Sequence, residues 1–574
     1  MSEKITGAEA LLRALEIEGV NTVFGYPGGS IIQVYDRLYD HSDRIHHILV
    51  RHEQGAVHAA QGYARSSGKT GVVIATSGPG ATNVITGVAD AMVDSTPLVV
   101  ITGQVDSRFL GTDAFQETDL LGITLPITKW ACQVRKAEDI PAAVARAFFI
   151  ASNGRPGPVV LDITSDAQAG ILEYNGYQKV EFIRSYEPNP APKESDINAA
   201  AELLNSAERP MILVGQGVII SGAEETIIKL AEKADIPLCS TLMGLSAIPS
   251  THRLNKGMLG MHGNLGPNIN TNRADVILAV GMRLDNRVTG NLDRYAPDAK
   301  IIHVDIDSAE FNKNVAAAAT IHADANAALT ALLPKVNRAR HTEWLSSFDR
   351  MNDDELSRVI NPLMQRPSES TLSMPEVIDH ITRKTQGEAI VVTDVGQNQM
   401  WAARHSHFAH TRSMVTPGGL GTMGFGIPAS IGAKVANPDR QVVLYTGDGS
   451  FQMTVQELGT IMEQRVAVKI VILNNSFLGN VRQWQELFFR KRYSSTPMVN
   501  PDFIALCAAY GIKGENVENR DMLSDAVDRM LAATEPYVLN VNIEADDNVF
   551  PMTPGNSSVD YILLSPIEIY RPND

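Results

Sequence analysis

Short apolar runs that stop at a glycine or a polar turn recur along almost the whole chain, and they constrain the fold more than any other feature. In the first 183 residues they are TVFGYPGG, HHILVRHE, GVVIATSGPG, PLVVITGQ and GPVVLDIT, with alanine-rich stretches such as Glu53–Ser66 and Ala142–Ser152 between them. A run that is apolar without alternation is buried on both faces, and intervening helices supply the cover, so the pattern predicts a parallel sheet between helical layers. The scheme returns in PMILVGQGV, ADIPLCST, DVILAVGMR and KIIHVDID, and again in EAIVVTDVG, RQVVLYTGDG, VKIVILNN and PYVLNVNI. The expected fold class is α/β, with three doubly wound parallel-sheet units. No short-period repeat of the solenoid kind is visible.

Two polar, proline-bearing stretches divide these units: Arg184–Ser195, and roughly Pro334–Ser373 with Pro362 and Pro367. Neither supplies a long apolar face, so both read as linkers or connecting arms. The expected domains are 1–183, 196–335 and 372–550, followed by a C-terminal tail, 551–574. A chain of 574 residues is too long for one core, which agrees with three. Its formal charge of -16 argues against a nucleic-acid or anionic-membrane surface. Cys132, Cys239 and Cys507 lie far apart without metal-ligand spacing and read as buried thiols in a reducing compartment. Glu3, Glu9, Glu16 and Glu18 near the start disfavour a signal or transit peptide, and no apolar run is long enough to span a bilayer. The expected location is the cytoplasm.

In YTGDGSF, Tyr445–Phe451, an acidic residue stands between two glycines where an apolar strand ends. A helix-like segment, Thr454–Arg465, follows, and then the strand VKIVIL, which ends in Asn474-Asn475. A strand, helix, strand unit brings both strand ends to one edge of a parallel sheet, where open α/β sheets bind ligands. Asp448 and Asn475 can converge there. One carboxylate and one amide oxygen suit Mg²⁺, whose shell is completed by water and phosphate oxygens. GDG alone reads as an ordinary turn; the asparagine pair at the end of the next strand turns the reading towards a metal site.

This pair resembles the thiamin diphosphate (ThDP) motif, in which the Asp, the second Asn and a backbone carbonyl two residues onward hold the metal. The resemblance implies Asp448, Asn475 and the carbonyl of Phe477 as Mg²⁺ ligands, with Gly29, Gln397, Gly447, Gly449 and Ser450 at the cofactor. Glu53, in ILVRHEQGA, matches the glutamate that hydrogen-bonds the aminopyrimidine ring and helps to generate the reactive ylide. Without the metal motif it would read as a helix N-terminal carboxylate. In this family the glutamate and the metal motif meet across a subunit interface, so a homodimer is implied as the minimum active unit.

FGYPGGSI, RHEQGAVHAAQGYAR, ATSGPGATN, GTDAFQETD, GRPGPVVLDI, GMLGMHG, TDVGQNQMW, GGLGTMGFGIPA, TGDGSF, VQELGT and VRQWQ, in this order, resemble the catalytic subunits of the acetohydroxyacid synthase (acetolactate synthase) family. The resemblance implies decarboxylation of pyruvate on ThDP and attack of the hydroxyethyl carbanion on pyruvate or 2-ketobutyrate. The products are 2-acetolactate or 2-aceto-2-hydroxybutyrate, precursors of branched-chain amino acids. It further implies Met423 beneath the cofactor, the Gly421 carbonyl on its exocyclic amine, Gln116 near the thiazolium, Arg287 for the acceptor carboxylate and Trp484 for the acceptor alkyl group. The middle block resembles the family's FAD domain, with Arg155, Gly215, Gly217, Met261, His262, Gly281, Arg283, Asp285, Asp305 and Asp324 at the flavin. VGQGV is not a GxGxxG fingerprint, so FAD rests on the resemblance. A homodimer or homotetramer and a separate small regulatory subunit are the implied partners.

Related enzymes differ at these positions. A glyoxylate carboligase would lack the glutamate, a catabolic acetolactate synthase the flavin contacts, and a pyruvate oxidase the Gln116, Arg287 and Trp484 set. Retention of Glu53, Asp448 and Asn475 opposes a non-catalytic paralogue. The chain also departs from the family pattern. MRLDNR replaces RFDDR and DIDS replaces DIDP, and Ser30, Asp106, Ser165, Asn286, Asn398 and Asn480 stand where alanine, often proline, lysine, aspartate, histidine and methionine are usual. Asn398 maps near the diphosphate and the other five to the acceptor channel, where the family's herbicides also bind. Loss of the lysine and gain of Asp106 are expected to make that entrance less cationic.

Overall fold

Eighteen strands of the computed structural model, which describes residues 3–366 and 371–571, form three six-stranded sheets in which every pairing is parallel. Pro367, one of the prolines of the second linker, lies outside the described residues, as do the two ends of the chain. The first sheet runs, across its width, His46–Leu49, Thr22–Gly25, Gly71–Ala75, Leu98–Gln104, Pro158–Thr164, Trp130–Val134. Counted along the chain, that is 2-1-3-4-6-5. The third sheet has the same order: Met414–Val415, Ile390–Thr393, Val442–Gly447, Lys469–Asn474, Tyr537–Asn542, Lys513–Val517. The middle sheet differs. It runs Asn255–Met258, Leu238–Ser240, Pro210–Val214, Val276–Val280, Lys300–Asp305, Ala319–His322, the 3-2-1-4-5-6 order of dinucleotide-binding folds.

The central strands are the runs that the sequence marks as apolar. Every residue of Gly71–Ala75, Leu98–Gln104 and Pro158–Thr164 is buried, because helices cover both faces. Within these three sheets five strands escape the sequence reading, and all five are edge strands: Trp130–Val134, Asn255–Met258, Ala319–His322, Met414–Val415 and Lys513–Val517. An edge strand needs no continuous apolar run, and NKGM and KGENV have none.

The second linker also differs from expectation. Thr342–Glu355 is a helix that buries Trp344, Leu345, Phe348 and Met351, and Trp344 Nε1 donates to Pro210 O at 2.7 Å. It is a packed arm with a narrow apolar stripe. The first linker gives way to the helix Glu194–Asn205, so its last two residues are helical.

First and third units are joined by two helices, Glu53–Ser67 and Gly426–Ala436, that cross through small residues. A Cβ added at Gly62 would lie 2.0 Å from Ala429 O, and one at Gly432 only 1.7 Å from Ala59 O, so the backbones touch. No helix among the described residues is long and apolar enough to cross a membrane.

Candidate functional site

In the third sheet, Ile390–Thr393 connects towards one edge and Val442–Gly447 towards the other, so a crevice opens between their carboxyl ends. A helix begins at Gln397, after the short turn Asp394–Gly396, and another at Asp448, directly after its strand, so two helix N-termini lie at this edge of the sheet. Asp448 and Asn475 end adjacent strands, as the spacing predicts. The helix starts earlier than expected, at Asp448 itself, breaks at Thr454 and resumes at Leu458–Gln464.

Asn475 Nδ2 donates to Gln397 Oε1 at 3.2 Å, and its Oδ1 accepts from the N–H of Phe477 at 3.2 Å, so these three residues meet. Ser450 Oγ donates to Val395 O at 3.3 Å, and Gly447 lies beside Asn398. Burial pushes the Asp448 carboxyl up to about 6, against the hydrogen bonds it accepts from Asn500 and nearby backbone amides. Among the described residues no group of three or more His, Cys, Asp or Glu gathers for a metal. A buried lone carboxylate beside amide and carbonyl oxygens fits Mg²⁺, which keeps water and phosphate oxygens in its shell.

Sequence reasoning missed Asn500. Its Nδ2 donates to Asp448 Oδ2 at 2.7 Å and to Asn474 Oδ1 at 3.1 Å, clamping the two strand ends together. Nothing local in VNPD signals this. Asp394 was also missed, although it ends a buried strand just as Asp448 does. Wholly buried, it accepts from Gly424 N at 3.0 Å and Gly426 N at 2.8 Å and anchors the turn after Met423.

Glu53 opens its helix at the corresponding edge of the first sheet, half-buried, and accepts from Asn83 Nδ2 at 2.9 Å. Thr76, whose Oγ1 is buried without a hydrogen-bond partner, is close to Gly28, and Gly80 lies against Glu53. Gln116 packs on Gly78 with a left-handed backbone, φ 60°. Gly29 has open space in front of its Cα. Within one chain, among the described residues, no hydrogen bond joins Glu53 to Asp448 or Asn475.

A cavity of about 680 Å³ lies where the three units meet. From the middle unit come Gly217, Met261, His262, Gly281, Arg283, Asp285, Arg287, Asp305 and Asp324; from the first, Arg155; from the third, Gly421 and Trp484. Gly215, Gly217 and Gly281 pack at the middle sheet's own switch point, where a Cβ on Gly215 would lie 2.1 Å from Gly281 O. Arg155 ties the units together, donating to Ser95 Oγ at 2.9 Å, Asp307 at 3.1 Å and Glu310 at 2.9 Å. Asp324 caps the helix Ala325–Leu332, and Asp285 accepts from Arg287 N at 2.9 Å. Burial pushes Asp305 up to about 6 and His262 down to about 3. Both ring nitrogens of His262 are buried without hydrogen-bond partners, so this wall fits a large polar ligand such as a flavin dinucleotide.

Arg287 is exposed, and its guanidinium contacts Met261 Sδ at 3.3 Å, with no carboxylate in ion-pair range among the described residues. Asn286 and Asn480 line the cavity near it, and Asn480 Oδ1 is buried without a partner. Met423 is half-buried just beyond Gly421 and does not line the cavity. Asp106 is paired with Arg108 at 2.8 Å, so its carboxylate offsets the charge of that guanidinium.

Three family models match the chain. The thiamine pyrophosphate enzyme N-terminal TPP binding domain covers residues 5–123, the central domain 197–332 and the C-terminal TPP binding domain 394–541. Among relatives, the acetolactate synthase isozyme 2 large subunit of Escherichia coli (strain K12) is 45% identical, over 96% of this chain and 98% of its own length. A probable acetolactate synthase large subunit of Methanocaldococcus jannaschii is 44% identical, over 98% of this chain and 96% of its own. The acetolactate synthase large subunit of Haemophilus influenzae is 42% identical, over 98% and 99%. With this likeness running from end to end, the chain belongs to the acetolactate synthase large-subunit family of thiamine pyrophosphate enzymes.

Proposed function

We propose that the protein decarboxylates pyruvate and joins the two-carbon unit to a second 2-keto acid, giving 2-acetolactate from pyruvate or 2-aceto-2-hydroxybutyrate from 2-ketobutyrate, in valine, leucine and isoleucine biosynthesis. The observation that carries this reading is the meeting of Asp448, Asn475, Phe477 and Gln397 at the switch point of the third sheet, in a chain of this family. Bound ThDP supplies an electron sink for the loss of CO₂. Asp448, Asn475 and the Phe477 carbonyl hold Mg²⁺, and Gly29, Gln397, Gly447, Gly449 and Ser450 surround the diphosphate cofactor. Glu53 holds and releases a proton at its carboxylate, and Gln116 lies near it on the same unit. Gly421 and Met423 support the cofactor ring. Arg287, free of a competing carboxylate among the described residues, receives the acceptor's carboxylate, and Trp484 meets its alkyl group.

Residues 1–183 act as the pyrimidine-binding domain, 196–335 as the FAD-binding-type domain and 372–550 as the diphosphate and Mg²⁺ domain, with 551–574 a tail. The large cavity takes FAD through Arg155, Gly215, Gly217, Met261, His262, Gly281, Arg283, Asp285, Asp305 and Asp324, in a structural role. The active form is a homodimer or homotetramer in the cytoplasm. The relatives' name, large subunit, supports a separate small regulatory partner. Purified protein should show a flavin absorption band released on denaturation, and should make 2-acetolactate from pyruvate only with both ThDP and Mg²⁺. Saturated protein that makes none contradicts the activity; turnover without bound flavin favours a flavin-free carboligase.

A further inference from the structure

A buried cluster of the first unit grips a loop of the third. Arg65 Nη2 donates to Asp94 Oδ2 at 2.8 Å and lies 3.7 Å from Asp90 Oδ2, and its Nη1 donates to Thr416 O. Two carboxyl groups against one guanidinium leave buried acceptor oxygens that Arg65 alone does not satisfy, and an unmet buried acceptor is costly. The loop meets it. Gly419 N donates to Asp94 Oδ1 at 2.8 Å, Gly418 N to Asp94 Oδ2 at 3.1 Å, and Thr422 Oγ1 to Asp90 Oδ1 at 2.7 Å. These hydrogen bonds therefore fix where the loop can sit.

Asp94 and Asp90 differ in one respect. Asp94 forms part of the wall of the large cavity and Asp90 does not. Gly418 to Gly421 line the cavity from the other side of the same contact. A Cβ on Gly419 would lie 2.3 Å from Val93 Cγ1, 2.6 Å from Asp94 Oδ1 and 3.2 Å from Arg283 Nη2, so cavity wall and loop are in direct contact. The loop holds Gly418, Gly419, Gly421 and Gly424, the last two with φ of 73° and 86°. A segment so rich in glycine loses much conformational freedom when it orders. A ligand that orders it first lowers that cost for a second.

Resting on the functional reading above, we propose that Asp94 is a positioning residue that couples FAD in the large cavity to ThDP at the Gly421–Met423 loop. Each ligand then binds more tightly in the presence of the other, and by the same factor, because coupling between two binding sites is reciprocal.

The test is a binding cycle on the full-length protein stripped of ligands. The dissociation constant of ThDP with Mg²⁺ is measured with and without saturating FAD, and that of FAD with and without ThDP. Wild-type protein should show a factor of about 5 to 150 in both directions, the usual range of such couplings. In Asp94→Asn the factor should fall to near one, while each ligand still binds alone. Asp90→Asn, which loosens the loop away from the cavity, should weaken ThDP equally with and without FAD and keep the factor. Should Asp94→Asn fail to fold, Gly419→Ala separates loop from wall with the buried charges intact and should lose the factor in the same way. A wild-type factor of one, a factor that survives in Asp94→Asn or Gly419→Ala, or its equal loss in Asp90→Asn would each overturn the inference. Wild-type protein that binds neither ligand would overturn the functional reading as well, which separates the two failures.

Discussion

Glu53 accepts one hydrogen bond from Asn83 and otherwise faces the glycine-lined edge of its sheet. Glu53→Gln keeps that contact and removes the exchangeable proton, so folding should persist while acetolactate formation falls by about 10² to 10⁴, the usual weight of acid-base participation. Near-wild-type turnover would exclude Glu53 from catalysis. Asn286 and Asn480 pose a question of specificity. Both line the cavity near Arg287, where the family pattern has a carboxylate and a methionine. Restoring them together with the lysine, as Ser165→Lys, Asn286→Asp and Asn480→Met, gives Arg287 a charged neighbour whose hydrogen bond is worth about 1.5 to 3 kcal/mol. Acceptor saturation should shift by roughly tenfold or more, with stronger inhibition by sulfonylureas; identical saturation and inhibition curves would make these departures inconsequential. At this scale the sequence was most legible where chemistry and position coincide. Asp448, Asn475 and Glu53 each stand at a strand end, where a polar residue after an apolar run is conspicuous. Asn500 carries no such mark, since it reaches Asp448 only through the tertiary fold. Asp90 and Asp94 could have been found: two acidic residues one turn apart at the end of the apolar helix ITGVADAMV are a signal of buried charge.

The crossing of Glu53–Ser67 with Gly426–Ala436 brings the backbones of two different units into contact. Gly432→Ala would drive its Cβ into Ala59 O, and separating the helices should cost about 1 to 3 kcal/mol, read as a lower urea midpoint. An unchanged midpoint would show that the crossing yields freely. A second tie is Glu457, just before the helix Leu458–Gln464, which accepts from Arg51 N at 3.1 and 3.2 Å and from Thr460 Oγ1 at 2.7 Å. Burial pushes its carboxyl from 4.5 to about 7. A folded-state pKa raised in this way gives stability that is full below about pH 4.5 and lost as the pH rises through about 7, by roughly 3 kcal/mol. Glu457→Gln should flatten stability between pH 5 and pH 8 and leave the variant the more stable protein at pH 8. A decline as steep as that of the wild type would assign the pH dependence elsewhere. Buried central strands were legible as apolar runs, whereas edge strands and the helix Thr342–Glu355 were not. A half-exposed element needs apolar residues on one side only, and Trp344, Leu345, Phe348 and Met351 form a stripe too narrow to stand out among charged neighbours.

No unit owns the large cavity: Arg155, His262 and Trp484 in its walls come from three different sheets' surroundings. FAD at a hundredfold excess over its dissociation constant should therefore stabilise the molecule as a whole, by about 2.7 kcal/mol, and raise the melting of all three units together. A shift confined to one transition would place the ligand within a single unit. The likeness of the first and third sheets, both 2-1-3-4-6-5, was not legible in the sequence, because strand order depends on which way each crossover turns and both turns use similar helices. That order has a consequence for the growing chain. Each sheet draws its six strands from one uninterrupted stretch, so the first can close before the middle one is synthesised, and the middle one before the third. Arg65 and Thr416, by contrast, stand 351 residues apart, and their contact must wait until the third unit has left the ribosome. The grip on the glycine loop is thus a late long-range contact, and a polypeptide released early carries a finished first sheet in which Asp90 and Asp94 have Arg65 but still lack the donors of the loop.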